Sequence, residues 1–187
     1  MGSIVGRIRG GSLFFAVCPP ADAASHICRS GKVIKCARQF QGVLTSRDCL
    51  HVTLFFLGEA SHLSDRSIQS AFEAGAEVKM EPFEISFDRS VSFRGKPGDH
   101  PFVLLCGDGL NRLMAFRQML GAEMTKKGLR RRTNADFNPH ITLLRDARKV
   151  EEQPIVPICW TVSEFVLIHS DCGHTHLARW PLGSTPE

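Results

Sequence analysis

The chain has 187 residues, of which 43% are hydrophobic and 22% charged, and its formal net charge is +4. These fractions exclude an intrinsically disordered chain, and the mild basic excess falls short of that of a protein that coats nucleic acid. No apolar run approaches the roughly 20 residues of a membrane span, and the short run near the start lacks a signal-peptide cleavage site. Seven cysteines without C-x-x-C spacing disfavour a disulfide framework and a zinc ribbon, so we expect free thiols in a cytoplasmic protein.

Strands and helices alternate along the chain. Short apolar or alternating runs bounded by glycine and proline predict strands, at 13–18, 50–57, 83–87, 91–93, 102–106, 139–144, 163–169 and 176–180. Amphipathic stretches between these runs predict three helices. Their expected limits are an N-cap at Asp22 to about Arg38, a start at Ser61 or Ser64, and a span from Leu110 to near Gly128.

The two halves of the chain resemble each other. The strand at 14–17 and the strand that starts at His51 recur as a strand at 102–105 and one that starts at His140, with offsets of 88 and 89 residues. We interpret this pattern as an internal duplication with pseudo-two-fold symmetry. An alternating α/β chain whose spacings coincide is the other interpretation.

Each half contains a histidine and a threonine two residues apart, in His51-x-Thr53 and His140-x-Thr142. Chance gives only about 0.3 such pairs in a chain of this composition. Side chains two apart on a strand share a face, so a two-fold axis would bring both pairs to one cleft. In-line displacement at phosphorus needs this arrangement: a base, an acid, and hydroxyls for the phosphate oxygens, with no metal. Two strand histidines satisfied by backbone groups are the alternative.

The paired motifs resemble the signature of the two-histidine (2H) phosphoesterase superfamily, a duplicated H-x-T/S-hydrophobic motif. Within that superfamily the chain is similar to the bacterial RNA 2′,3′-cyclic phosphodiesterases, also called 2′-5′ RNA ligases. The segments that carry the resemblance are 13–17, 50–59, 139–145 and 178–182.

The resemblance implies a bilobal α+β fold, with two antiparallel sheets facing a central cleft and helices outside, in a single domain at 12–183. It implies hydrolysis of 2′,3′-cyclic phosphates of RNA ends or nucleotides to 2′-phosphates, without cofactor or metal, by what we expect to be a monomer. The implied roles are proton donor for His51, proton acceptor for His140, and phosphate ligand for Thr53, Thr142 and Arg145.

Three further features are left open by the sequence. Side chains alternate between the two faces of a strand, and this alternation points Arg145 away from the face of His140. Its implied role as a phosphate ligand therefore requires a bulge or a strand end near Leu144. Phe55 shares parity with His51 and is the best candidate to stack on a base, although a core position is the stronger expectation. The basic run at 126–132 is either an RNA-attracting flank or a solvated helix end, and we expect the histidines of His174-x-His176 to lie in a solvated loop rather than bind metal.

Two other functions fit the same residues. A 2′-5′ RNA ligase would join tRNA half-molecules by running a related reaction in reverse, and a binding module would hold RNA ends without turnover. Both intact histidines argue against the binding module, because a binder needs phosphate ligands but no acid–base pair.

Overall fold

The computed structural model describes Ile8, residues 10–129 and residues 137–183. Eight strands and three helices form within these residues. The strands are β1 (Ser12–Val17), β2 (Val52–Glu59), β3 (Phe83–Ser92), β4 (His100–Cys106), β5 (His140–Asp146), β6 (Gln153–Val162), β7 (Glu164–Ser170) and β8 (His174–Pro181). The helices are α1 (Ala21–Arg38), α2 (Asp65–Ala76) and α3 (Leu110–Lys126). None of these helices is long and apolar enough to cross a membrane.

The strands pair antiparallel in the order β6-β3-β4-β5-β2-β1-β7-β8. The first four and the last four form two halves, which are joined through β5 and β2 at one pair of residues, Val52 and Ile141. The predicted antiparallel α+β fold is therefore confirmed, and the structure adds that the two expected sheets are the halves of one eight-stranded sheet.

The helices pack on one face of this sheet. Alternate strand residues such as Phe15 and Phe102 form the main core with helix residues such as Ile27 and Phe116. The intervening residues point to the opposite face, called here the site face. A smaller apolar cluster lies there, made of Phe14, Ala16, Val166 and Ile168.

Strand β6 has no counterpart among the predicted strands. Its Pro154 and Pro157 lack an N–H group, which argues against a strand in the middle of a sheet. The strand forms because it lies at the sheet edge, where an unpaired side tolerates proline. The two predicted runs at 83–87 and 91–93 also differ from the structure, since one strand, β3, continues through a bulge at Asp88.

The predicted N-cap of the first helix is wrong. Helix α1 begins at Ala21 with Pro20 as its N-cap, and Asp22 lies in the first turn. Proline suits this position because its fixed φ is compatible with the chain entering a helix and it needs no hydrogen-bond donor there. For α2 the two candidate caps are resolved in favour of Ser64, whose hydroxyl accepts a hydrogen bond from the Ser67 N–H at 3.1 Å.

A β-bulge follows the threonine of each H-x-T pair. The register between β1 and β2 shifts at Leu54, and the register between β4 and β5 shifts at Leu143. Ala16 and Val103 lie opposite the two threonines, so they are equivalent positions in the two halves. The offset between β1 and β4 is therefore one residue smaller than the 88 residues that the sequence comparison indicated. The bulges that both halves share support the duplication.

Candidate active site

The two H-x-T pairs meet where the halves of the sheet join. In an antiparallel ladder, the pair that connects β2 to β5 places His51 opposite Thr142 and Thr53 opposite His140. Opposite side chains in such a ladder are about 5 Å apart and diagonal ones about 7–8 Å. The four side chains are partly buried on the site face, and the apolar residues between them face the core. The predicted convergence of the four residues is therefore present.

A backbone carbonyl orients the ring of His51. Its Nδ1 lies 2.8 Å from the carbonyl oxygen of Cys49, and its Nε2 lies 3.0 Å from the Thr53 hydroxyl. Because a carbonyl can only accept, Nδ1 carries the proton in the neutral ring, and Nε2 accepts the hydrogen bond that the Thr53 hydroxyl donates. The ring thus presents a basic nitrogen to the site face.

His140 is held in the same way. Its Nδ1 donates to the carbonyl of Asn138 over 2.8 Å, again from a residue two positions earlier in the chain. Each ring also contacts a phenylalanine at a centroid distance of 4.9 Å, Phe93 for His140 and Phe14 for His51. The matched hydrogen bonds at Nδ1 leave Nε2 as the outer nitrogen of both rings, as expected for two halves related by a pseudo-two-fold axis.

A third imidazole packs on His51. The ring of His174 lies edge-to-face against it, with a centroid distance of 4.8 Å. The pKa of His51 is lowered to about 4, and burial is the largest cause. The hydrogen bond to the Cys49 carbonyl opposes this shift, and the positive charges that His174 and His140 can carry add to it. In the ligand-free protein His51 is therefore neutral at pH 7.

This lowered pKa makes the stability of the fold depend on pH. At pH values between about 4, the pKa of His51 in the folded protein, and 6.5, its ordinary pKa, the unfolded chain binds a proton at His51 and the folded chain does not. The stabilisation is complete above pH 6.5 and is lost as the pH falls to 4, by about 3 kcal/mol. We expect the thermal midpoint of the wild type to fall more steeply between pH 7 and 4.5 than that of His51→Asn, whose amide can still donate to Cys49. Parallel slopes for the two proteins would contradict this expectation.

Arg145 reaches the site face because of the bulge at Leu143. The bulge adds one residue between Thr142 and Leu144, which reverses the parity of the residues that follow. The irregularity expected near Leu144 is thus found one residue earlier. The Arg145 guanidinium is exposed and donates to the Asp99 carboxylate at 2.7 Å.

The equivalent bulge at Leu54 exchanges the roles of two phenylalanines. Phe55 is 5% exposed and packs in the core, with the Arg117 guanidinium 4.5 Å from its ring centre. Phe56 is 47% exposed and lies opposite Phe14, on the same face as His51. The core position that was the stronger expectation for Phe55 is therefore confirmed, its selection as the best stacking candidate is wrong, and the exposed ring on the face of His51 is that of Phe56. The error arises because parity cannot be counted across a bulge.

His174 and His176 do not lie in a solvated loop. Both belong to β8, and Nδ1 of each is buried without a hydrogen-bond partner in the described structure. Among the residues that the structure describes, no three histidine, cysteine or acidic side chains are placed to hold a metal ion. Sequence analysis missed the contact between His174 and His51 because the two residues are far apart in the chain. All seven cysteines are free thiols, as expected.

The basic run at 126–132 is described only through residue 129. Lys126 donates to Glu123 at 2.6 Å, and Lys127 lies 3.8 Å from Glu77. These pairs belong to the helix layer, on the side of the sheet away from the site face. For Lys126 and Lys127 the structure favours the solvated helix end, and the arginines at 130–132 lie outside the described residues.

Comparison with known proteins identifies relatives in sequence. A family model, the 2′-5′ RNA ligase superfamily, matches residues 19–174. A protein of Escherichia coli (strain K12) named RNA 2′,3′-cyclic phosphodiesterase is 30% identical over 182 residues, which cover 91% of this chain and 96% of the relative.

Solved structures share the fold. The crystal structure of E. coli LigT complexed with 3′-AMP matches with a TM-score of 0.73 and 26% identity, covering 94% of this chain and all of LigT. A crystal structure from Thermus thermophilus matches with a TM-score of 0.71 over 91% of this chain and 97% of its own, and at 20% identity it shows the likeness of fold alone. The fold, the paired motifs and the family match agree, and the chain belongs to the 2′-5′ RNA ligase superfamily.

Proposed function

We propose that this protein hydrolyses 2′,3′-cyclic phosphates at RNA ends to a 2′-phosphate and a free 3′-hydroxyl. The observation that carries the proposal is the pair of imidazoles, each fixed through Nδ1 to a carbonyl and each presenting Nε2 to the same face of the sheet. The E. coli relative bears the name of this activity, and the LigT crystal holds a nucleotide monophosphate, which supports the same substrate class.

The proposed reaction is a single in-line displacement. Water attacks phosphorus and transfers a proton to Nε2 of His140, while the bond between phosphorus and the 3′ oxygen breaks. Nε2 of His51 gives its proton to the departing 3′ oxygen. The diagonal placement of the two rings across the β2–β5 junction suits this step, because attack and departure occur on opposite sides of phosphorus.

The role of donor requires a charged His51 in the complex. The ligand-free pocket keeps this ring neutral, since its pKa is lowered to about 4. A phosphate anion bound beside the ring favours the imidazolium and raises that pKa, as any opposite charge within a few ångströms does. Substrate binding therefore favours protonation of His51, and the departing 3′ oxygen receives this proton.

The hydroxyls of Thr53 and Thr142 serve as donors to the non-bridging phosphate oxygens. Each lies opposite the histidine of the other half, so the phosphate between the rings has one hydroxyl on either side. Arg145 adds a cation on the same face at the far end of β5.

Phe56 supplies the base platform. We expect Phe56→Ala to raise the KM for adenosine 2′,3′-cyclic phosphate by roughly tenfold with little change in folding, because one stacked base contributes about 1–3 kcal/mol. Phe55→Ala is the matched control and should instead lower the thermal midpoint, since Phe55 is buried. Steady-state kinetics and thermal unfolding of both variants separate the two effects, and an unchanged KM in Phe56→Ala would contradict the assignment.

The test of the proposed activity is product analysis on an oligonucleotide with a 2′,3′-cyclic phosphate end. We expect a 2′-phosphate product in the absence of added metal or nucleotide. Adding a second oligonucleotide with a 5′-hydroxyl end at high concentration tests the ligase alternative, which predicts a joined strand with a 2′-5′ bond. Binding of the cyclic end without any product would favour the binding module.

A further inference from the structure

A cavity of about 740 Å³ adjoins the active site on the side of His174. His174 lines this cavity and also packs against His51 at a centroid distance of 4.8 Å, so one imidazole separates the cavity from His51. The volume lies within the range of about 300–1,000 Å³ that is usual for small-molecule sites. The proposed reaction at the cyclic phosphate leaves this space without a role.

The walls of the cavity differ in chemistry. Pro19, Pro20 and Leu50 provide an apolar surface. Basic groups line the cavity as well, Arg47 from the turn before β2 and Arg179 from β8. A base packs on apolar side chains and a backbone phosphate pairs with guanidinium groups, so this combination suits one nucleotide.

Two carboxylates also line the cavity and limit its positive charge. Glu164 already accepts a hydrogen bond from Arg179 at 2.5 Å, which leaves Arg47 as the cation with no carboxylate pair in the described structure. The Arg47 guanidinium donates to the carbonyl of Ala21 at 2.8 Å and is otherwise exposed. The negative charge of the neighbouring Asp48 disfavours a small free anion such as inorganic phosphate in this cavity. A nucleotide fits better, because its neutral base and ribose add contacts with the walls.

We propose that this cavity binds the nucleotide next to the terminal one, and that Arg47 pairs with the phosphate that links these two nucleotides. This inference rests on the proposed function and deepens it, because it assigns a second nucleotide-binding site to the RNA end. A substrate with a penultimate nucleotide fills both the catalytic site and the cavity, whereas a cyclic mononucleotide fills only the first.

The test compares adenosine 2′,3′-cyclic phosphate with the dinucleotide ApA ending in the same cyclic phosphate. We expect the wild type to show a kcat/KM for the dinucleotide at least roughly tenfold higher, as one charge-assisted contact provides. Arg47→Ala should reduce this preference by about tenfold, and Arg47→Lys, which retains the charge, should keep most of it. The exposed Arg112 on α3, behind the sheet, gives the control Arg112→Ala, which should leave both values unchanged.

Binding of the products, adenosine 2′-phosphate and ApA 2′-phosphate, is measured by calorimetry in parallel. If the wild type turns over neither substrate but binds the dinucleotide more tightly in an Arg47-dependent way, the cavity assignment stands and the proposed activity fails. If the wild type has the same kcat/KM for both substrates and Arg47→Ala changes neither value, the activity stands and the cavity assignment is overturned. Equal losses on both substrates in a folded Arg47→Ala protein also overturn it, because Arg47 would then act at the catalytic phosphate.

Discussion

Replacing either proposed catalytic histidine, His51 or His140, by alanine should lower kcat on a 2′,3′-cyclic phosphate by roughly 10²–10⁴-fold. Proton transfer by a positioned side chain contributes about this factor, and each of the two proposed transfers depends on one ring. We therefore expect His51→Ala and His140→Ala to be folded and nearly inactive, by circular dichroism and by steady-state turnover. The exposed His62, on a short turn after β2, provides the control His62→Ala, which should retain full activity.

A substrate with a leaving group that needs no proton distinguishes donor from acceptor. In 3′-deoxyadenosine 2′-(p-nitrophenyl phosphate), p-nitrophenolate takes the place of the ribose 3′ oxygen and departs as a stable anion. On this substrate His51→Ala should recover most of its lost rate, whereas His140→Ala should not, because water must still be deprotonated. The reverse pattern would exchange the two roles. Wild-type turnover of the cyclic phosphate by the double variant would remove both residues from the mechanism.

The central part of this site could be predicted from sequence because it depends on local rules. An H-x-T pair on a strand places both side chains on one face, and a second copy at an equivalent position implies a partner across a two-fold axis. The buried residues between each histidine and threonine follow from the same alternation. These relations need no knowledge of which strands pair.

The remaining features depend on contacts that a strand does not encode alone. A bulge exists only relative to a partner strand, so the parity of Phe56 could not be counted without the β1–β2 register. For Arg145 the required bulge was deduced only from the implied role. His174 reaches His51 from the opposite end of the chain, through a strand at the sheet edge. Neither propensity nor spacing contains that contact.

The two threonines should matter to the transition state more than to substrate binding. Replacing Thr53 or Thr142 by valine preserves shape and removes one hydrogen-bond donor from the phosphate. A donor aimed at developing charge is worth about 10²–10³-fold in kcat. We expect each single variant to lose kcat by up to that factor while KM changes little, because the donor strengthens its bond as charge accumulates on the oxygens.

Serine variants separate the hydroxyl from the methyl group. Thr53→Ser and Thr142→Ser retain the donor and should keep most of the wild-type kcat. Thr53 has a second role, since its hydroxyl donates to Nε2 of His51 at 3.0 Å in the ligand-free protein. Its loss frees that nitrogen to take up a proton, so Thr53→Val should raise the pKa of His51, which NMR titration of the imidazole can measure. If both valine variants raised KM and left kcat intact, the hydroxyls would bind the ground state alone, and the stabilisation of phosphate charge would have to come from Arg145 and the imidazolium.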